Sequence, residues 1–243
     1  MTNQTAWVTG VDRGLGLGLA RALLQRGWRV FAGRYALPTA ELEQLQAEYK
    51  DSLRLIPLDI GDDASVKAAA AEVQAQTDRI DLVINNAGIL GDIDATLHDE
   101  LNFQEMQQVY NVNTLGPLRV AQAFIGLLLG SDRPVLANIS SEAGSIGQCY
   151  RQNWYGYCMS KTALNMQSAL IYNQFKDQGL RLLLLHPGWV QSYMHGELNT
   201  KAKLTPDQAA ANILGIIERC DQFKRADGRP AYIDSETGEP LPW

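Results

Sequence analysis

Three cysteines, three histidines and no cluster of basic residues leave this 243-residue chain poorly equipped for several common kinds of chemistry. Cys149, Cys158 and Cys220 are odd in number and lack the spacing of a zinc site. They read as reduced thiols, which suits a cytoplasmic protein. None of His98, His186 and His195 pairs with a serine in a nucleophile turn, which argues against a serine hydrolase. No His/Cys/acid cluster has metal spacing. Asp62-Asp63 reads as a helix cap rather than a carboxylate dyad. Lysine and arginine are scattered, and the net charge is −6, so no nucleic-acid partner is expected. Met1–Gln4 is short and uncharged, unlike a secretory leader. The best apolar run, Ala121–Leu129, is too short to span a membrane, so no membrane partner is expected.

What is present is a regular alternation of strand-like and helix-like segments. Strands are expected at Thr5–Thr9, Arg29–Gly33, Leu53–Leu58, Asp81–Asn85, Pro134–Ser140, Arg181–His186 and Ala231–Asp234. Helices are expected at Leu15–Arg26, Ala40–Tyr49, Asp63–Gln76, Phe103–Leu129, Tyr157–Gln178 and Thr205–Glu218. Unbroken apolar strands alternating with helices imply an α/β fold, with a parallel sheet covered on both faces. No linker or repeat divides the chain, so residues 1–243 are expected to form a single doubly wound domain with about seven strands.

The first expected strand ends in Thr9-Gly10-Val11-Asp12-Arg13-Gly14-Leu15-Gly16. Gly10 suits a tight turn off the strand. Gly14 would let a diphosphate approach the backbone, and Gly16 would let the next helix pack closely. The helix N-terminus offers unpaired N–H groups and partial positive charge to phosphate. The second strand ends Gly33-Arg34-Tyr35, without the acid that would bond a ribose 2′-hydroxyl. Arg34 and Arg13 are placed to meet a 2′-phosphate instead, so the expected cofactor is NADP(H).

Four more segments follow in order: Asn85-Asn86-Ala87-Gly88, Asn113 inside a helical pattern, Ser140-Ser141 at a strand end, and Tyr157-x-x-x-Lys161 on a long helix. Tyr157 and Lys161 are four apart and share a helix face. A tyrosine, with an ordinary pKa of about 10, is a poor base at neutral pH, and a lysine cation beside it stabilises the phenolate and lowers that pKa. Tyr172 and Lys176 repeat the spacing further along the helix, with no strand-end serine in range, and read as an exposed helix pair.

Taken together these segments resemble the short-chain dehydrogenase/reductase family over essentially the whole chain. Leu185-His186-Pro187-Gly188-Trp189-Val190 and the closing Pro240-Leu241-Pro242-Trp243 look most like its small carbonyl reductases of the sniffer and C-factor type. The resemblance implies a Rossmann-type domain and transfer of a hydride between NADP(H) and a small carbonyl or alcohol. In that reading Tyr157 is the general acid/base, Ser141 holds the substrate oxygen, and Asn113 supports a water chain. Lys161 bonds the nicotinamide ribose. Further cofactor contacts implied by position are Gly10, Arg13, Gly14, Leu15, Gly16, Arg34, Asp59, Ile60, Asn86, Ala87, Gly88, Tyr157, Lys161, Pro187, Gly188, Val190 and Ser192. Ser192 stands where the family often has threonine. The stretch from Ser141 to Tyr157 is about three residues longer than the family pattern, bringing Cys149 and Trp154 towards the pocket. Specificity would lie in Ile89–Asn102, Ser145–Trp154 and Tyr193–Lys203. The two long helices resemble those that pair subunits in the family, which implies a homodimer or homotetramer. The alternative is a dinucleotide-binding regulatory or signalling protein with little turnover.

Overall fold

The computed structural model describes residues 4–36, 38–194 and 196–243. Met1–Asn3, Leu37 and His195 therefore lie outside the described residues. Seven strands form one sheet: β1 (Thr5–Thr9), β2 (Arg29–Arg34), β3 (Leu53–Pro57), β4 (Leu82–Asn85), β5 (Val135–Ile139), β6 (Arg181–His186) and β7 (Ala231–Asp234). Their spatial order is β3-β2-β1-β4-β5-β6-β7, and every neighbouring pair is parallel. The strand order reverses between β1 and β4. Ligands bind in such sheets beyond the carboxyl ends of the strands at that reversal. The glycine turn leaves β1 there, and Asn85-Asn86 leaves β4 beside it.

Strand residues alternate between the two faces because the side-chain period is two. Ala6 and Val8 of β1 enter one core, with Leu17, Ala20 and Leu24 of α1 (Gly14–Gln25) and Ile213 of α7 (Pro206–Glu218). Trp7 enters the other, with Val66 of α3 (Asp63–Gln74) and Ile171 of α6 (Tyr155–Phe175). There it stacks at 4.5 Å on Phe124 of α5 (Gly116–Leu129). The remaining helices are α2 (Ala40–Glu48) and α4 (Phe103–Tyr110). Asp62 caps α3 by accepting from Ala64 and Ser65 N–H, as its sequence position suggests. Thr205 and Gln208 form a reciprocal capping box on α7.

Two helices depart from the sequence expectation. The helix from Phe103 to Leu129 is not uniform, since Asn111–Leu115 between α4 and α5 is a π-helical turn in which Gly116 N–H reaches back to the Asn111 carbonyl. The 27 continuous residues are also long and apolar enough to cross a membrane, with mean hydropathy 1.3 in the best window, although half of that window is buried in the fold. Helix length thus exceeds the apolar run Ala121–Leu129 because α4 and α5 stack end to end. The helix expected to open at Tyr157 begins at Tyr155. Tyr172, expected to be exposed, packs partly against the core, while Lys176 is exposed in a 3₁₀ turn that follows α6.

Candidate active site

The turn after β1 is built by close approach. Gly10 has φ +70°, and a Cβ there would come within 2.9 Å of the Ala87 Cα. A Cβ on Gly16 would strike the Gly10 carbonyl, so the helix can start against the strand only with glycine at this position. Above Gly14 the described residues leave open space. Thr9 and Asn86 lock the arrangement. The Thr9 hydroxyl accepts from the N–H groups of Asn86 and Ala87 at 3.0 and 3.1 Å. The Asn86 amide donates to the carbonyls of Thr9 and Gly10 at 2.9 and 3.1 Å. Asn86, expected as a cofactor contact, therefore spends its amide hydrogens on shaping the turn.

Arg13 is the N-cap of α1 in extended conformation, and its guanidinium lies 4.6 Å above the Tyr193 ring. Arg34 leaves the end of β2 and donates to the Ala36 carbonyl at 2.7 Å. Asp12 carries a function that sequence reasoning missed. Its carboxylate accepts from the N–H groups of Tyr35 and Ala36 at 3.1 and 2.7 Å. An acid inside the glycine turn thus fixes the segment that carries Arg34. Further along the same edge, Asp59 accepts from Gly61 N–H at 2.8 Å, and Ile60 is buried.

The two adjacent serines are separated by the fold. Ser140 points inward and donates to the Asn165 side chain at 2.7 Å. Ser141 faces Tyr157 within hydrogen-bonding reach of its phenol. Burial pushes the Tyr157 phenol up from its ordinary value, with the Glu142 charge acting in the same direction. Lys161 is 4% exposed and donates to the Ile139 carbonyl at 2.9 Å. Burial brings its ammonium down to about 8. Its Nζ stands 5.6 Å from the centre of the Tyr157 ring.

Asn113 lies in the π turn and is fully buried. Its side chain accepts from Ile89 N–H and donates to the Ile89 carbonyl, both at 2.8 Å, and it also reaches the Ser160 hydroxyl at 3.1 Å. The side chain is thus committed to holding the segment after β4, beside Gly88. Pro187 and Gly188 follow β6, Val190 pairs with Leu204, and the Ser192 carbonyl accepts from Asn199 N–H at 3.0 Å.

The longer Ser141–Tyr157 segment forms a 3₁₀ turn at Glu142–Gly144 and then a loop ending at Trp154. Trp154 has φ 65°, the left-handed region that a bulky residue adopts only when its surroundings enforce it. Its ring meets Tyr157 edge-on at 5.9 Å. Arg151 lies 4.7 Å above the Trp154 ring and pairs with Glu142.

The short chain dehydrogenase family model matches residues 4–203. The chain belongs to this family. A relative from Myxococcus xanthus, the C-signal protein, is 39% identical over 174 residues, which cover 69% of this chain and 95% of that protein. NADPH-bound carbonyl reductase from chicken fatty liver is 32% identical with TM-score 0.85, and the match covers 100% of both chains. Carbonyl reductase Sniffer of D. melanogaster is 25% identical with TM-score 0.87, again over 100% of both. This short-chain dehydrogenase is thus of the sniffer and C-factor type.

Proposed function

We propose that this short-chain dehydrogenase is an NADP(H)-dependent reductase of a small carbonyl compound, with Tyr157 as its general acid. The observation that carries the reading is the buried Ser141–Tyr157–Lys161 group standing beside a glycine turn that opens a helix. The turn suits a dinucleotide: the start of α1 presents N–H groups below the open space at Gly14. Gly10, Leu15 and Gly16 would shape the diphosphate cradle. Arg13 and Arg34 would hold a 2′-phosphate, and NADPH is the ligand of the chicken neighbour. Asp59 and Ile60 would border the adenine. Ala87, Gly88 and Lys161 would border the nicotinamide ribose, and Pro187, Gly188, Val190 and Ser192 the nicotinamide amide.

The nicotinamide, when bound, supplies the hydride. The chain supplies the proton and the geometry. Burial keeps the Tyr157 phenol protonated, which is the form that donates to a carbonyl oxygen. Ser141 would hold the same oxygen from its other side. Asn113 would contribute by fixing Gly88 and Ile89 against Lys161 rather than by offering its side chain to water.

Replacing Tyr157 by Phe removes the proton donor and keeps the ring. NADPH binding, followed by fluorescence, should remain, while reduction across a panel of aldehydes, ketones and quinones should fall by roughly 10²–10⁴-fold. Undiminished reduction by Tyr157→Phe would overturn the assignment. Tight NADPH binding with no turnover by the wild type would favour a regulatory protein.

A further inference from the structure

We propose that Glu142, tied to Arg151, is a positioning residue that competes with the substrate for the hydroxyl hydrogen of Ser141. This rests on the carbonyl reductase reading above and goes beyond it.

The position of Ser141 is fixed on all sides. Its carbonyl accepts from the Tyr232 hydroxyl and from Gly144 N–H. Its Oγ accepts from Ala143 N–H at 3.2 Å. The hydroxyl hydrogen is the remaining freedom, and it points at Glu142 Oε2, 2.6 Å away. A hydroxyl carries one hydrogen. While Glu142 is ionised and holds it, Ser141 shows a lone pair to the site. A carbonyl oxygen, which can only accept, must draw that hydrogen away from a carboxylate.

Arg151 decides how strongly the carboxylate holds on. It pairs with the other oxygen of Glu142 and is itself wedged over Tyr150 and Trp154, at 4.7 Å from each ring centre. Burial works to raise the Glu142 carboxyl, but the Ser141 hydroxyl, His186 and Arg151 together keep it below the usual carboxylate range. His186 Nδ1 lies 3.5 Å from Glu142 Oε2. Burial holds that imidazole below its ordinary value, so it is neutral at pH 8. The groups facing Glu142 are thus Ser141, Arg151, His186 and, beyond Ser141, Tyr157. Both arms of the device come from the extended segment, and its two ends touch the residues assigned to the chemistry: Glu142 touches Ser141, and Trp154 touches Tyr157.

The two halves of the ion pair should therefore act in opposite senses. The Glu142→Gln variant keeps the shape but is neutral and offers one amide oxygen to two donors, Arg151 and Ser141, so its hold on the Ser141 hydrogen weakens. A charge-assisted hydrogen bond is about twice as strong as a neutral one, so KM for the carbonyl should fall by about fivefold. The Arg151→Gln variant leaves the carboxylate without its cation and a stronger rival for the hydrogen, so KM should rise. Damage to the loop alone would move both variants the same way.

The test uses the full chain at pH 8 with saturating NADPH and the carbonyl that the wild type turns over fastest in the panel. Both variants should bind NADPH as the wild type does. In a Ser141→Ala background there is no hydrogen to contest, and Glu142→Gln should leave KM unchanged. KM shifts of the same sign in the two variants, or an equal Glu142→Gln shift with and without Ser141, would overturn the proposal alone. A wild type without turnover would overturn the carbonyl reductase reading and this proposal with it.

Discussion

Lys161 buries an ammonium group, and its hydrogen bond to the Ile139 carbonyl offsets only part of the desolvation. Its value in the folded chain is about 8, against an ordinary 10.5. Between those pH values the unfolded chain binds more protons than the folded one, so stability rises with pH across that window. Below about pH 8 the whole cost is present. The Lys161→Met variant without cofactor should therefore unfold at higher denaturant than the wild type at pH 7. The gain should be on the order of 2 kcal/mol, the desolvation cost less about one hydrogen bond. That advantage should shrink steadily between pH 8 and 10.5. Chemical denaturation at several pH values checks this, and a pH-independent difference would contradict it. The placement of this lysine four residues after Tyr157 was legible in the sequence, because helical spacing alone puts both on one face. Its tie to a β5 carbonyl was not, because that contact joins elements 22 residues apart. Asp12 was passed over for the same reason: its partners, Tyr35 and Ala36, belong to another strand end.

At the scale of elements, strands and helices followed from the pattern of apolar residues, since a sheet buried on both faces requires continuous apolar strands. The π turn at Asn111–Leu115 left no such mark, because one extra residue in a helical turn barely alters the apolar spacing. Its consequence is to aim Asn113 at the backbone after β4. Asn113→Ala would strip partners from both Ile89 N–H and the Ile89 carbonyl, while the Ser160 hydroxyl keeps its bond to the Tyr157 carbonyl at 2.7 Å. Leaving buried polar groups unpaired costs about 1–3 kcal/mol each. A loss of roughly 2–4 kcal/mol overall is expected, lowering Tm by about 5–10 °C. Thermal unfolding without cofactor separates this role from one in a water chain, which would slow turnover and leave stability intact. The extended Ser141–Tyr157 segment was visible as extra length. The 3₁₀ turn that aims Glu142 at Ser141, and the left-handed Trp154 that closes the loop, depend on contacts that spacing does not encode.

Among the described residues, α4, α5 and α6 share an uncovered apolar face. Phe103 and Tyr110 on α4, Leu118 on α5, and Met159, Met166 and Leu170 on α6 are each at least 40% exposed. Phe103, Tyr110 and Met159 line a common groove of about 420 Å³ between α4 and α6. Apolar patches of this kind, away from the polar edge that carries the candidate site, mark association surfaces more often than chance exposure. We propose that the face pairs with its counterpart on a second copy, since a two-fold interface requires only that a patch complement itself. The reading has a consequence for the site, because Met159 lies two residues from Tyr157 on the same helix, and pairing would stiffen the segment that carries the phenol. Light scattering on the wild type at micromolar concentration should give twice the chain mass of 26.8 kDa, or four times if a second surface joins. A Met159→Glu and Leu170→Glu double variant would place charges in the centre of the interface, where they cannot be paired, and should run as a monomer. Both side chains are exposed in the single chain, so the substitutions should cost the monomer itself little. A monomeric wild type would remove the proposal, and a double variant that still pairs would move the interface to another face.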